Sequence, residues 1–272
     1  MSRRAPAKRK AWVVAVANQK GGVAKTTTVA SLGAAMAERG LRVLLVDLDP
    51  QACLTFSLGY DPEAVDDSVH QVLTGVAETA DVVISTEDGV DLVPATIELA
   101  TAEQLLMTRT GREQILKAAL APLLTAYDVV LLDCPPTLGI LTTVALTAAN
   151  GVLIPLQCET LSHRGVGQLL DTVHDVKKIT NRRLEVIGVL PTLFDSRTSH
   201  SRLVLERIGE DYGVDVVEPP IPKSVRFAEA PAVGRSILTT AKASKGAIAY
   251  RNVATRLLTD RGLLDAAPAE AT

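Results

Sequence analysis

The chain has 272 residues, which is enough for one large α/β domain or two small ones. Its 28 basic and 31 acidic residues give a net charge of −3, which excludes a uniformly basic nucleic-acid-binding protein. Any affinity for DNA would have to come from a local patch. Aromatic residues make up only 3% of the chain, so we expect a core of Ala, Val, Leu and Ile.

The predicted elements alternate between strands and helices almost throughout the chain. A basic tail at 1–10 is expected to be disordered, and an apolar strand at 12–17 then leads into a helix at 25–39. Further strands are predicted at 42–47, 90–93, 128–133, 151–155 and 184–190, and further helices at 98–109, 111–125, 139–149, 163–180, 199–212 and 245–259. This order predicts an α/β fold with a doubly wound, mostly parallel sheet. We expect one domain at 11–260 and a second disordered tail at 261–272.

The sequence contains neither a targeting segment nor a pattern of cysteines typical of a metal site. Cys53, Cys134 and Cys158 are widely spaced, which favours free thiols in a reducing compartment. The basic N-terminus is not followed by the apolar stretch of a secretory signal. No apolar run reaches the roughly 18 residues of a membrane-spanning helix. We therefore predict a cytoplasmic protein.

A phosphate-binding loop is predicted between the first strand and the first helix. Residues 20–27 read Lys-Gly-Gly-Val-Ala-Lys-Thr-Thr, and in this setting backbone N–H groups and the helix N-terminus attract phosphate. Lys25 is expected to reach the β- and γ-phosphates of ATP, and the Thr26 hydroxyl to bind Mg²⁺. Ala24 replaces the usual glycine, which is acceptable if its φ is negative. The predicted ATP-binding residues of the loop are Gly21, Gly22, Val23, Ala24, Lys25, Thr26 and Thr27.

Two carboxylates follow apolar strands at the edge where such sheets bind their ligands. Asp133 ends the run Val-Val-Leu-Leu-Asp, which is typical of the aspartate that holds Mg²⁺, partly through water. Asp49 follows the second strand and is our candidate for the residue that positions the attacking water. Asp47 ends the same strand, and the sequence leaves open whether it is structural or organises the loop.

These motifs resemble the ParA/Soj family of partitioning ATPases. The early Lys20 is similar to the extra lysine of the deviant Walker A loop, and Asp47-Leu-Asp-Pro-Gln51 is similar to the family's DxDPQ. The resemblance runs from about Ala11 to Leu258. It includes four later segments, which lie at 133–139, 155–159, 191–197 and 222–231.

The resemblance implies a slow, Mg²⁺-dependent ATPase that forms a homodimer around ATP. In the family, the residue matching Lys20 reaches the partner's nucleotide and the one matching Asp49 acts on the attacking water, so Lys20, Lys25 and Asp49 are the predicted catalytic residues. The chain departs from the family where Ala52 and Cys53 replace a Gly-Asn pair. Any role of that asparagine therefore has no matching residue.

The resemblance also implies contacts beyond the phosphates. Pro222, Lys223 and Ser224 stand where the family contacts adenine, although two of them differ from the family's residues. Arg197 and Arg226 stand where the family binds DNA without sequence preference. The implied function is chromosome or plasmid partitioning on the nucleoid, with a ParB-like partner that stimulates hydrolysis and no stable membrane association.

Other families with this loop remain alternatives at this point. A MinD-like membrane ATPase would end in a basic amphipathic helix, whereas the chain after Thr259 has one arginine, several alanines and acidic residues. An iron–sulfur carrier would need paired cluster cysteines. Dethiobiotin synthetase shares the fold but lacks the early lysine. A ParA-like ATPase that positions a protein complex fits the sequence equally well.

Overall fold

The structure, a computed structural model, describes residues 9–158, 162–195 and 199–264. Its centre is a seven-stranded sheet in the order β3-β4-β2-β5-β1-β6-β7. All neighbours are parallel except β3 and β4, which are antiparallel. The predicted α/β fold is confirmed. The strands are β1 Trp12–Val16, β2 Val43–Asp47, β3 Ile84–Ser85, β4 Asp91–Val93, β5 Val129–Asp133, β6 Gly151–Gln157 and β7 Glu185–Thr192.

Helices cover both faces of the sheet, because strands that are buried on both faces need apolar neighbours on each side. One core contains the apolar residues of α1 and α11, and the other contains those of α3 to α8. The helices are α1 Lys25–Ala37, α2 Cys53–Ser57, α3 Val69–Thr74, α4 Leu99–Met107, α5 Ile115–Leu120, α6 Ile140–Ala148, α7 Ser162–Ile179, α8 Ser199–Tyr212, α9 Arg226–Glu229, α10 Ile237–Thr240 and α11 Lys245–Asp260.

Two regions differ from the predicted elements. The single helix expected at 111–125 is broken into a 3-10 turn, the short α5 and a second turn, Ala121–Leu123, in which Pro122 cannot donate a helical hydrogen bond. Between 48 and 89 the sequence predicted no elements, whereas the structure has α2, α3 and the antiparallel β3. These elements are too short for a clear period in the sequence.

The carboxyl ends of the strands bring the predicted site residues to one edge of the sheet. Val16, at the end of β1, is paired with Asp133, and Asp47, at the end of β2, is paired with the same residue. The phosphate loop follows β1 directly. Three segments that are distant in sequence therefore meet at this edge.

The predicted tails lie largely outside the described residues. Of the segment 1–10, only Arg9 and Lys10 are described, and the Arg9 guanidinium donates to the carbonyls of Arg261 and Gly262 at 2.9 Å. Of the segment 261–272, residues 261–264 are described, and Leu263 and Leu264 pack against the α1–α11 core. Among the described helices, none is long and apolar enough to cross a membrane.

Candidate functional site

The loop between β1 and α1 is held open by contacts that the sequence analysis missed. The Asn18 side chain is buried, donates to the carbonyl of Pro155 at 2.7 Å and accepts from the backbone N–H of Lys20 at 2.9 Å. The Thr192 hydroxyl, at the end of β7, donates to the carbonyl of Val23 at 3.0 Å. Both polar side chains follow apolar strands, which is the signal that could have identified them.

The glycines of this loop face open space. A Cβ atom built on Gly21 or Gly22 would have no neighbour within 4 Å, and Gly22 has a φ of 72°. Such a concave backbone, placed before a helix N-terminus, can accept the oxygens of a phosphate chain. The geometry therefore fits the predicted ligand.

Ala24 corrects one expectation. Its φ is 62° and its ψ is 34°, so the negative φ under which we accepted alanine is not what the structure has. A left-handed conformation costs an alanine about 1–2 kcal/mol, which the surrounding loop contacts must offset. Ala52, which stands at a glycine of the family's motif, has the same conformation with a φ of 50°. The chain therefore adopts a glycine-type backbone at both positions without glycine.

Lys25 is the buried cation of the site. Its side chain is 7% exposed, and its Nζ donates to the carbonyl of Lys20 at 3.2 Å. Burial lowers the pKa of Lys25, while the negative charges of Asp133 and Asp49 act in the opposite direction. The ammonium group thus lies within electrostatic range of the two candidate carboxylates, at the loop where it would also meet phosphate oxygens.

Asp133 is fully buried, and neither of its carboxylate oxygens accepts a hydrogen bond from a described residue. Burial raises its pKa well above the ordinary value, and the charge of Asp47 raises it further. The Thr26 hydroxyl and Lys25 act against this shift, although the hydroxyl does not reach hydrogen-bonding geometry. A buried carboxylate without donors is costly unless a cation compensates it. This donor set fits Mg²⁺, a hard cation that takes few protein carboxylates alongside phosphate and water.

Asp47 is an anchor for the turn that carries Asp49. Its Oδ2 accepts from the backbone N–H of Thr55 at 2.9 Å and from the Thr55 hydroxyl at 2.8 Å, and its Oδ1 accepts from Asp49 N–H at 3.1 Å. Burial raises the pKa of Asp47 to about 6, although the hydrogen bonds from Thr55 lower it. Thr55 also accepts from the N–H of Ala95 at 2.9 Å, which connects the turn to the end of β4. Of the two roles left open for Asp47, the structure favours organising the loop.

Asp49 is half-buried and lies in a tight turn. Its Oδ1 accepts from the N–H of Gln51 at 3.0 Å, and the backbone N–H of Ala52 donates to its carbonyl at 2.8 Å. Its charge acts on Lys25 and on Asp133, so the three groups share one electrostatic site. A carboxylate that is half-exposed beside the phosphate loop can position a water molecule.

The predicted adenine segment lies along the chain that leaves β7. The N–H of Phe194 donates to the carbonyl of Ile221 at 2.9 Å, and Pro222 bridges Phe194 in parallel orientation. Lys223 is exposed, and the Ser224 hydroxyl accepts from the N–H of Arg226 at 3.3 Å. These contacts attach the segment to Phe194, which stands two residues after Thr192. Among the described residues, no contact joins the segment to the phosphate loop.

The two predicted DNA-binding arginines have different outcomes. Arg197 lies outside the described residues. Arg226 begins α9, is exposed and forms an ion pair with Glu229 at 2.8 Å. The next residue, Phe227, packs edge-on against Tyr250 with ring centroids 5.8 Å apart, which fixes α9 to α11. The structure therefore presents Arg226 on a rigid surface, where Glu229 partly neutralises it.

The described residues contain no group of three or more His, Cys, Asp or Glu side chains that could hold a metal ion by themselves. Cys134 and Cys158 are buried, and burial raises the pKa of the Cys158 thiol to about 11. Cys53 is exposed, but partial burial and the charge of Asp49 raise its pKa as well. In the described part of the chain, the three cysteines thus belong to no group of metal ligands.

Comparison with known proteins places these residues in a family. The model of a family described as AAA domain matches residues 11–186. The sporulation initiation inhibitor protein Soj of Bacillus subtilis is 43% identical over 89% of this chain and 96% of the relative. The chromosome partitioning protein ParA of Caulobacter vibrioides is 39% identical over 90% of this chain and 93% of the relative.

A solved structure extends the similarity to three dimensions. Cobyrinic acid a,c-diamide synthase from Mycobacterium smegmatis, with a bound ATP analogue and magnesium, is 55% identical and has a TM-score of 0.84. The similarity covers 93% of this chain and 96% of that one. With its deviant phosphate loop, the aspartates of β2 and β5 and these relatives over most of its length, the chain belongs to the ParA/Soj family of P-loop ATPases.

Proposed function

We propose that this protein binds ATP with Mg²⁺ and hydrolyses it slowly, as the timer of a partitioning system. The observation that carries the proposal is the buried Asp133, which has no hydrogen-bond donor and lies beside Lys25 under an open glycine loop. Mg²⁺-ATP complements this arrangement, because the metal ion compensates the buried carboxylate and the phosphate chain meets Lys25 and the loop. The related structure with a bound ATP analogue and magnesium supports the same ligand.

Each residue has a separate task in this mechanism. The backbone N–H groups of residues 21–27 bind the phosphates, with Thr27 at the α-phosphate and Lys25 at the β- and γ-phosphates. Thr26 and Asp133 would hold the metal ion, which would neutralise charge on the phosphate oxygens. Asp49 orients the attacking water. Asp47 keeps Asp49 in place by accepting a hydrogen bond from the backbone N–H of Asp49. Pro222, Lys223 and Ser224 cover the adenine.

Substitution of Lys25 and Asp49 tests this chemistry. Lys25→Ala should lose nucleotide affinity, because the buried ammonium is the main cation for the phosphates. Asp49→Ala should bind ATP normally and reduce hydrolysis at least about 100-fold, in line with a lost acid–base group. Fluorescent-nucleotide binding and phosphate release measure the two effects. Asp61→Ala, which removes an exposed acid of a neighbouring loop, is the control. Wild-type hydrolysis by Asp49→Ala would refute the role of Asp49.

The finer part of the proposal is an ATP-dependent homodimer that binds DNA without sequence preference. Lys20 completes the partner's site, and Arg197 and Arg226 contact phosphates of the duplex. The net charge of −3 means that this affinity is local, so the ATP-loaded Asp49→Ala variant should bind random duplex and lose it with added salt. A ParB-like protein would stimulate hydrolysis, and the chromosome, a plasmid or a protein complex would be the cargo. The protein would then be cytoplasmic and nucleoid-associated.

The name of the related solved structure suggests ATP-dependent amide synthesis as a second function. Glutamine-dependent amidation needs a reactive cysteine with a low pKa. Here the pKa of Cys53, Cys134 and Cys158 is raised in every case, chiefly by burial. These thiols therefore do not have the low pKa of a nucleophile for amide transfer, whereas the phosphate site fits ATP hydrolysis.

A further inference from the structure

A group of basic side chains lies at the edge of the sheet opposite the phosphate loop. Lys177 and Lys178 stand in the last turn of α7, and Arg182 and Arg183 stand in the turn that leads into β7. We call these four residues the basal cluster. All four are exposed, whereas the phosphate loop follows the other end of the parallel strands. The basal cluster is therefore separate from the nucleotide site.

The fold itself explains only half of the basal cluster. Cations in the last turn of a helix stabilise the helix dipole, which is a sufficient reason for Lys177 and Lys178. Arg182 and Arg183 lie beyond that turn. The residue before them, Asn181, fixes the end of the helix, because its Nδ2 donates hydrogen bonds to the carbonyls of Leu146 and Ala149. The two arginines have no part in this arrangement.

Two arginines at this edge form ion pairs with acidic residues, whereas the basal cluster has none with a described acid. Arg42 pairs with Asp128 at 2.9 Å, and Arg261 pairs with Glu185 at 3.6 Å. Within the described part of the chain, no acid pairs with a member of the basal cluster. The exposed Asp171 and Asp175 lie on the preceding turns of α7, so the negative charge stops before the end of the helix. The basal cluster thus carries uncompensated positive charge.

The basic N-terminus enters the fold at the same edge. The Asn150 side chain accepts from the N–H of Val13 at 2.8 Å, and its carbonyl accepts from the N–H of Glu185 at 3.0 Å. The starts of β1 and β7 are therefore joined through one residue. Five of the first ten residues are Arg or Lys. Of these five, the structure describes Arg9 and Lys10, which are exposed and stand just before β1 at this edge.

We propose that the basal cluster is a second DNA-binding surface, which contacts the phosphate backbone of duplex DNA whether or not nucleotide is bound. The inference rests on the proposed DNA-binding function but assigns it a new site. Unpaired Arg and Lys side chains on a rigid turn bind phosphates without reading sequence. Because the cluster is remote from the phosphate loop, its contact with DNA requires no change in the nucleotide site.

The surface fits DNA better than an anionic membrane. Ile179, which is 76% exposed, is the large apolar side chain within the basal cluster. A helix that lies in a membrane interface buries a whole apolar face, which one isoleucine does not provide, and a membrane lying along α7 would also meet Asp171 and Asp175. A duplex can contact the end of the helix alone.

Charge reversal tests the proposal in the full chain. The variant carries Lys177→Glu, Lys178→Glu, Arg182→Glu and Arg183→Glu, and its matched control exchanges Lys and Arg at the same four positions. Binding of a random 30-base-pair duplex is measured by fluorescence anisotropy without nucleotide, from 50 to 200 mM salt. We expect at least a 10-fold loss of affinity at 50 mM salt for the reversed variant and none for the control. The slope of log affinity against log salt should fall by about 2–4, at about 0.9 per lost phosphate contact.

The outcomes separate this proposal from the proposed function. Equal binding by the reversed variant and wild type, or no binding of DNA by nucleotide-free wild type, would overturn the basal site. In either case, ATP-dependent binding that Arg226→Glu abolishes would leave the proposed function intact. Binding of the nucleotide-free protein to phosphatidylglycerol vesicles but not to duplex would also overturn the proposal. Unchanged melting temperature and nucleotide affinity show that the reversed variant is folded.

Discussion

Asp47 and Asp133 lie side by side at the ends of β2 and β5, yet their surroundings differ. Asp47 accepts three hydrogen bonds, so its charge is partly solvated by the protein. Asp133 accepts none from the described residues, and only Lys25 and Thr26 favour its ionised form. This contrast separates the two tasks: Asp47 shapes the turn, and Asp133 is reserved for a cation.

The two carboxylates should make the stability of the nucleotide-free protein depend on pH. Burial raises both pKa values, that of Asp47 from 3.8 to about 6, so the folded state binds more protons than the unfolded state. The free energy of unfolding should therefore fall as pH rises through 4–6 and beyond, by about 1–3 kcal/mol for Asp47. Urea unfolding at pH 5.5 and 7.5 measures it.

Asp133→Asn is the informative variant, because it removes one of the two buried charges and leaves the shape. The free energy of unfolding of this variant should change less with pH than that of the wild type. Mg²⁺-ATP should reduce the pH dependence of the wild type in the same way, because it favours ionised Asp133. Asp61→Asn, at an exposed position, should behave as wild type. The same steep dependence in Asp133→Asn and wild type would contradict our view of Asp133.

The residues of the site differ in how far the sequence could predict them. Lys25, Thr26 and Asp133 stand at fixed places relative to apolar strands, so their grouping followed from the pattern. The left-handed backbone of Ala24 and Ala52 did not, because a residue with a Cβ gives no signal for a positive φ, which glycine would have given. Asn18 and Thr192 were missed because their partners are backbone atoms of distant segments.

At the scale of elements, α1 and α11 are joined by a buried polar contact. The hydroxyls of Thr28 and Tyr250 are 2.9 Å apart, and both side chains are fully buried. Thr28 lies one turn after Lys25 on the helix that begins at the phosphate loop. Gly246 lets Phe227 approach, since a Cβ there would lie 2.6 Å from the ring. The hydroxyl pair therefore joins α1 to α11, and the approach of Phe227 to Gly246 joins α9 to α11.

Removing this contact should show coupling between the two helices. Tyr250→Phe or Thr28→Val alone leaves one buried hydroxyl without its partner and should cost about 1–3 kcal/mol of unfolding free energy. The double variant leaves neither, so it should be more stable than the sum of the single losses predicts, by at least about 0.5 kcal/mol. Chemical denaturation measures all three variants, with Tyr60→Phe at a half-exposed position as the control. Strict additivity would show that the hydroxyls act independently.

The elements that the sequence predicted best are those with long apolar periods. The five long strands of the parallel core and helices such as α7 and α11 have such periods and lie where they were expected. The region around α2 and α3 was not predicted, because its helices have five and six residues and are fixed by tertiary bonds such as those of Thr55. Short elements of this kind depend on their neighbours rather than on their own sequence.

At the scale of the whole molecule, charge is distributed between two opposite edges. At the nucleotide edge, the positive charge of Lys25 lies near the carboxylates of Asp49, Asp133 and Asp47. These carboxylates compensate that charge when no phosphate is bound. The opposite edge holds the basal cluster, which has no such balance among the described acids. Opposed edges leave the loop face available for a second subunit while the basal surface stays accessible.

Dimerisation across the nucleotide edge is the last test of this arrangement. The backbone of Lys20 is fixed in its own loop. Its N–H donates a hydrogen bond to the side chain of Asn18, and its carbonyl accepts one from the Lys25 ammonium group. The exposed Gly21 and Gly22 next to it leave room for a partner's surface. We expect the Asp49→Ala variant to double its mass with ATP, because Lys20 of each subunit would hold the unhydrolysed γ-phosphate of the other, and to stay monomeric with ADP. Light scattering after gel filtration measures the mass.

Lys20→Ala, combined with Asp49→Ala, should bind ATP yet remain monomeric, since Lys25 supplies affinity within one subunit and Lys20 supplies the contact between subunits. Lys10→Ala, at an exposed position outside the nucleotide edge, should dimerise like the Asp49→Ala parent when combined with it. Nucleotide binding by each variant separates lost dimerisation from lost ATP. The same mass with ATP, with ADP and without nucleotide would rule out the nucleotide-driven dimer.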